Sequence, residues 1–181
     1  MNGDTGAVRR AVRSPAVLVV ALLSATACQL SQLAHVELVR DDRLSFSAPA
    51  ARSLVHVPLT IAWTMHRFEA SGLDSRRSEA AGEYAVFVDL APIGIGRTLR
   101  DVGKDDPFCV RDPSCPGPAY LRSRGVYVTT DTSVTLTLIP KAGKGVGDEQ
   151  HVATVVLLDG TGVRRTESAW HVEFRYPRRS S

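Results

Sequence analysis

No apolar run in the 181-residue sequence is long enough to cross a bilayer as a helix, which takes about 20 apolar residues. The longest run, residues 16–23, contains eight apolar residues and lies close to the N-terminus. The length of this run therefore argues against a permanent membrane-spanning helix in this region.

The motifs of common enzymes and cofactor sites are also missing. The five histidines, at positions 35, 56, 66, 151 and 171, form no HExxH arrangement, and no GxSxG elbow is present. The segment "GIGRTL" begins like a dinucleotide fingerprint but has Leu99 in place of the third glycine. We therefore expect no catalysis, no cofactor and no metal site. A catalytic triad assembled from distant positions stays open as the alternative.

Residues 1–27 have the order of a secretory signal: three arginines, the apolar run and then small residues. The segment "ATAC", which ends at Cys28, resembles the lipobox of bacterial lipoproteins, in which the cysteine is lipidated and becomes the first residue of the mature chain. The resemblance implies a lipid anchor on Cys28 and a position at the outer face of the cytoplasmic membrane. Plain secretion and a buried core cysteine are the alternatives.

Removal of residues 1–27 changes the charge balance of the chain. This segment holds three arginines and one aspartate, so the formal charge falls from +3 to +1 and 154 residues remain. The basic character belongs mainly to the signal, and no nucleic-acid partner is implied. The remaining length suits one domain with a sizeable core.

Only two cysteines, Cys109 and Cys115, remain besides Cys28. Export to an oxidising compartment favours a disulfide between two such close cysteines. Asp112 and Pro113 lie between them and supply turn chemistry. A metal site needs more ligands than this pair, and no histidine or further cysteine stands beside it at zinc-like spacing.

The mature chain is dominated by a hydrophobic period of two, which is typical of β-strands. Two of the apolar runs, from residues 84 and 151, are apolar on both faces, as in the central strands of packed sheets. No segment after residue 40 keeps a helical period over three turns. Seven strands of one antiparallel domain are predicted, within the segments "RLSFS", "PLTIAWTM", "YAVFVDL", "VYVTT", "SVTLTL", "HVATVVLLD" and "AWHVEFRY".

The layout of two segments resembles the immunoglobulin-like and fibronectin type III-like domains of bacterial surface proteins. These are "FSAPAARSLVHVPLTIAW", with an edge strand, a turn and a tryptophan-bearing strand, and "ATVVLLDGTGVRRTESAWHVEF", with a final hairpin. The resemblance implies an all-β fold, a single antiparallel immunoglobulin-like β-sandwich. It implies no particular function, because such folds have many.

We expect a tether at residues 28–42, a sandwich domain at 43–177 and a basic tail at 178–181. Residues 90–125 form a long insertion in the sandwich without a strand pattern, here called the excursion. Its apolar residues predict an ordered segment with a short helical turn at residues 119–122: Ile93, Ile95, Leu99, Phe108, Tyr120 and Leu121.

The excursion is either a binding surface or a structural cap over a sheet edge, and the sequence leaves both open. Its arginines suit an anionic partner, because guanidinium groups pair with phosphate and carboxylate. The candidate binding residues are Arg97, Arg100, Phe108, Tyr120, Arg122 and Arg124.

These features together predict a noncatalytic, exported binding or structural domain of the bacterial cell envelope. The membrane, through the lipid anchor, and an envelope protein or anionic envelope polymer are the expected partners. An extracytoplasmic enzyme acting on envelope polymers and a carrier of a small apolar ligand are the alternatives.

The intact mass of the exported protein tests the N-terminal prediction. We expect a mass that shows loss of residues 1–27, addition of lipid and oxidation of one cysteine pair. A mass without lipid contradicts the anchor on Cys28 but leaves the exported domain in place.

Overall fold

A computed structural model of the chain describes residues 41–139 and 149–177. The predicted signal, Cys28, the tether up to residue 40 and the basic tail lie outside the described residues.

All seven predicted strands are present, together with one that the sequence did not predict. The additional strand has two residues, too few to show a period, and it runs parallel to its neighbour. The prediction of a purely antiparallel domain is therefore wrong at this position. The strands are β1 (Leu44–Ala48), β2 (Leu59–Met65), β3 (Glu69–Ala70), β4 (Ala81–Val88), β5 (Val126–Thr129), β6 (Ser133–Leu136), β7 (Glu149–Asp159) and β8 (Trp170–Tyr176).

The strands form two sheets. The smaller sheet has the order β1-β2-β6, and the larger has the order β3-β4-β7-β8, with β5 also paired to β4. Strands β4 and β7 are the centre of the larger sheet and pair over seven residues of β4, from Gly82 to Val88. The described part of the chain is thus mainly β-structure.

The first hydrophobic core lies between the two sheets. Alternate residues of β2, such as Ile61 and Trp63, meet alternate residues of the larger sheet, such as Tyr84 and Val155. The indole ring of Trp63 contacts the ring of Tyr84 edge to face, with 5.2 Å between centroids. Residues between these positions on β2, such as Thr60, face solvent, which explains the period of two in the sequence.

A second core lies on the other face of the larger sheet, under the excursion. Phe87 and Leu158 point to this face, and Ile93 and Leu121 of the excursion cover them. The runs in β4 and β7 are apolar on both faces for this reason: one face meets the smaller sheet and the other meets the excursion.

The excursion carries three short helices: a 3₁₀ helix, Leu99–Gly103, and the α-helices α1 (Pro107–Arg111) and α2 (Pro118–Ser123). Helix α2 confirms the predicted helical turn. The other two have five residues each, too short for a helical period to be visible. Of the six apolar residues expected to order the excursion, two do not pack into the fold: Ile95 and Phe108 are 51% and 61% exposed.

Asp41 holds the beginning of the described chain against β8. Its carboxylate accepts hydrogen bonds from Arg43 Nη2, at 2.7 Å, and from the Ser168 hydroxyl, while its backbone oxygen accepts one from Trp170 Nε1, at 2.7 Å. The hydrogen bonds from the Arg43 side chain are the main reason that the pKa of Asp41 falls from 3.8 to about 2.

Two phenylalanines test whether the excursion is an integral layer of the fold. We expect Phe87→Ala to lower the free energy of unfolding by about 3–5 kcal/mol, because Phe87 is fully buried under the excursion. The exposed Phe108→Ala is the matched control and should change it by less than about 0.5 kcal/mol. Equal, small effects in chemical denaturation would show that the excursion does not stabilise the sheet.

Candidate functional site

A disulfide between Cys109 and Cys115 closes the middle of the excursion, as the sequence predicts. Both cysteines are buried, and Gly103 lies against Cys109. A Cβ atom at Gly103 would lie 2.7 Å from Cys109 Sγ, so only glycine fits this close approach. The turn between the cysteines is stabilised by Asp112, whose Oδ1 accepts a hydrogen bond from Ser114 N at 2.9 Å.

A cleft of about 790 Å³ lies beside this disulfide loop, and we call it the edge cleft. This volume is within the range of small-ligand sites, about 300–1,000 Å³. One wall is the excursion, the floor is the outer face of the larger sheet, and the cleft continues to β5 and β6. Most of the side chains that line it are apolar, including Leu73, Leu99, Leu121, Val126, Val128, Val134 and Leu158.

Arg100 and Arg122 are the two cationic residues that line the edge cleft. Arg100 Nη1 donates a hydrogen bond to the backbone oxygen of Pro113, at 3.2 Å. Neither guanidinium has a carboxylate within 4.0 Å in the described part of the chain. Both are therefore available to an anionic group in the cleft.

The other two candidate arginines lie outside the cleft lining and have acidic partners. Arg97 Nε lies 3.0 Å from Asp101 Oδ2, four residues further along the chain. Arg124 Nη2 lies 3.4 Å from Asp106 Oδ2, and its guanidinium stacks on the Tyr120 ring. These contacts neutralise both guanidinium groups within the excursion.

Asp106 links helix α1 to helix α2 of the excursion. Its Oδ1 accepts a hydrogen bond from Phe108 N, at 2.9 Å, which caps α1, and its Oδ2 accepts one from the Tyr120 hydroxyl, at 3.0 Å. The Phe108 backbone bond, then the Tyr120 bond, lowers the pKa of Asp106. Of the six candidate binding residues, Tyr120 and Arg124 thus belong to this local cluster, and Phe108 lies exposed on α1.

Glu83 is the one carboxylate in the lining of the edge cleft. It lies on β4, on the same face as Phe87, and its carboxylate has no hydrogen bond or ion pair with any described residue. Burial among apolar neighbours raises the pKa of Glu83 above its ordinary value. No motif in the sequence singles out Glu83, although its position in phase with Ala85 and Phe87 places it on that face of β4.

A second polar cluster, which the sequence did not indicate, joins β7 to the residue that follows β4. His151 is fully buried, and its Nδ1 lies 2.6 Å from Asp89 Oδ2. Because a carboxylate only accepts, Nδ1 carries the hydrogen of this bond. Nε2 has no hydrogen-bond partner among the described residues, and Glu149 Oε2 lies 3.7 Å from it. With no exposed surface, His151 supports the packing of β7 against Phe174.

The described residues hold no group of three or more histidine, cysteine, aspartate or glutamate side chains arranged to bind a metal. Within residues 41–139 and 149–177, no helix has the length and apolar character needed to span a membrane.

Comparison with protein-family models, with curated proteins and with solved structures finds no match to this chain.

The pH dependence of stability tests the environment of Glu83. Because its folded pKa is raised, the folded protein binds this proton more tightly than the unfolded chain does, so the contribution of Glu83 to stability falls as pH rises above about 4.5. We expect Glu83→Gln to be more stable than the wild type at pH 7 and to lose this advantage towards pH 4. Denaturation midpoints measure the difference, with the exposed Glu69→Gln as the control. A difference that does not change with pH would contradict the burial of Glu83.

Proposed function

We propose that the protein is a noncatalytic binding domain of the bacterial cell envelope that takes an anionic ligand with an apolar body into the edge cleft. In this proposal the chain is exported, and a lipid on Cys28 holds it at the outer face of the cytoplasmic membrane. The two-sheet body is an immunoglobulin-like sandwich, and the excursion is the part that makes it a binding domain.

The contrast between the four arginines of the excursion carries the proposal. Arg97 and Arg124 have carboxylate partners outside the cleft lining, whereas Arg100 and Arg122 line the cleft and have none within 4.0 Å among the described residues. A surface that only capped the sheet would not need two guanidinium groups that have no carboxylate in contact; Arg100 has only the longer-range attraction of Asp112. An anionic group supplies the missing partner, and the apolar side chains accept the rest of the ligand.

The composition of the lining favours binding over catalysis. Hydrolysis of a glycosidic bond, the reaction expected of an enzyme acting on envelope polysaccharides, uses two carboxyl groups that flank the bond. The lining has one carboxylate, Glu83, and no histidine, while His151 and Asp89 meet outside the cleft lining. The apolar floor also suits a carrier of a small apolar ligand. Such a carrier would bind without help from Arg100 and Arg122.

The fluorescent probe 8-anilinonaphthalene-1-sulfonate, which has an apolar body and one sulfonate, tests the proposal. We expect saturable binding to the folded protein, and about tenfold weaker binding for Arg100→Gln and for Arg122→Gln, because each loses a charged hydrogen bond worth about 1.5 kcal/mol.

Two neighbouring arginines supply matched controls for this titration. Arg97→Gln and Arg124→Gln remove the same charge from the same segment outside the cleft lining and should bind the probe as the wild type does. Equal weakening in all four variants would indicate a net-charge effect and contradict the assignment of the cleft. Unchanged binding in all four would favour the carrier of an apolar ligand.

A further inference from the structure

The edge cleft follows the backbone of two strands. It is lined by four successive residues of β5, from Val126 to Thr129, and by three successive residues of β6, from Ser133 to Thr135. Successive side chains of a strand point to opposite faces, so a cleft that touches every residue in turn runs along the strand edge. The cleft therefore meets main-chain groups as well as side chains.

Both strands have an open edge on this side. Among the described strands, β5 pairs only with β4, and β6 pairs only with β2. An unpaired strand edge presents N–H and C=O groups to which another strand can bind.

The register shows which groups of β6 face the open edge. Trp63 N donates to Thr132 O, at 3.0 Å, so Trp63 and Thr132 form a hydrogen-bonded pair. Hydrogen-bonded pairs alternate with non-bonded pairs along an antiparallel ladder. Val134 therefore bonds to β2, whereas the backbone groups of Ser133 and Thr135 point away from β2. Both of these residues are exposed.

The same reasoning applies to β5, with a different result. Val88 N donates to Gly125 O, at 2.8 Å, so Tyr127 bonds to β4 and the backbone groups of Val126 and Val128 face the open edge. Val126 is fully buried and only Val128 is partly exposed. The accessible edge is therefore that of β6, while β5 supplies part of the cleft wall.

We propose that an extended acidic peptide of a partner protein adds to the smaller sheet as a fourth strand beside β6. Its backbone pairs with Ser133 and Thr135, its inward apolar side chains lie against Tyr127 and Val134, and its carboxylates meet Arg100 and Arg122 in the same cleft. The main-chain bonds supply affinity and the cleft supplies the choice of side chains. This inference rests on the proposed function, because it names the ligand of the same cleft.

Charge and backbone together favour this occupant. The lining carries two guanidinium groups without a carboxylate partner in the described part of the chain, and burial raises the pKa of the single carboxylate, Glu83. A basic peptide would meet both guanidinium groups, whereas aspartate or glutamate side chains pair with them. A small anion alone would leave the outward groups of Ser133 and Thr135 unused.

The experiment selects peptides with the full-length protein from a display library of random ten-residue peptides. We expect the enriched peptides to alternate apolar residues with aspartate or glutamate. A synthetic enriched peptide should slow amide hydrogen exchange at Ser133 and Thr135 at least tenfold. Its counterpart with N-methyl groups on alternate peptide nitrogens should bind at least about tenfold more weakly, because each N-methyl group removes a backbone donor that pairs with β6.

A pair of variants at one position isolates the main-chain bond. Ser133→Pro removes an N–H that β2 does not use, at the first residue of an edge strand, where proline is tolerated. Ser133→Ala keeps the N–H. We expect at least about tenfold weaker peptide binding for the proline variant only. If that variant does not fold, exchange in the wild type and the N-methylated peptide decide the question.

Three outcomes would overturn the inference. In the first, no peptide is enriched. In the second, enriched peptides leave amide exchange at Ser133 and Thr135 unchanged. In the third, these amides become protected as the protein concentration rises without any peptide, which would make a second copy of the chain the occupant. Binding of the sulfonate probe that still depends on Arg100 and Arg122 would then leave the proposed function standing with a small anionic ligand. Loss of both results would remove the proposed function as well.

Discussion

The pairing of β4 with β7 is the constraint on which the described structure depends. The two strands pair over seven residues of β4, and their side chains are apolar on both faces, so each face needs a cover. The smaller sheet covers one face. The excursion, which contains the three short helices and the disulfide, covers the other. The edge cleft lies where this second cover leaves Glu83 and Val128 partly exposed.

Much of the strand content could be predicted because the seven longer strands have an apolar side and a polar side, or are apolar throughout, over at least four residues. The sequence could not show that the second apolar face of β4 meets the excursion, because the same run suits any central strand. It also missed β3 and the two five-residue helices, whose few residues fix no period. The disulfide was predictable because its two cysteines lie only six positions apart in the chain.

The candidate site was predictable only in part, and the reason is the distance along the chain between its parts. The arginines of the excursion were visible as a group, but their partners decide which of them is available. Arg97 meets Asp101 at helical spacing, which a sequence can suggest, whereas Arg124 meets Asp106 from 18 residues away. The cleft further needs Glu83 from β4 and the edge of β6, and no local pattern relates these segments to the excursion.

If a lipid on Cys28 anchors the chain, as proposed, the hydrogen bonds of Asp41 have a mechanical consequence for the domain. Strands β1 and β8 lie at one side of the two sheets and contact each other there, whereas β5 and β6 lie at the opposite side. A pulling force that enters at Asp41 is borne first by its bonds to Arg43, Ser168 and Trp170. Strand β2 of the smaller sheet, and β7 and β4 of the larger, stand between that load and the edge cleft. The cleft can therefore keep its shape while the opposite side of the domain is under tension.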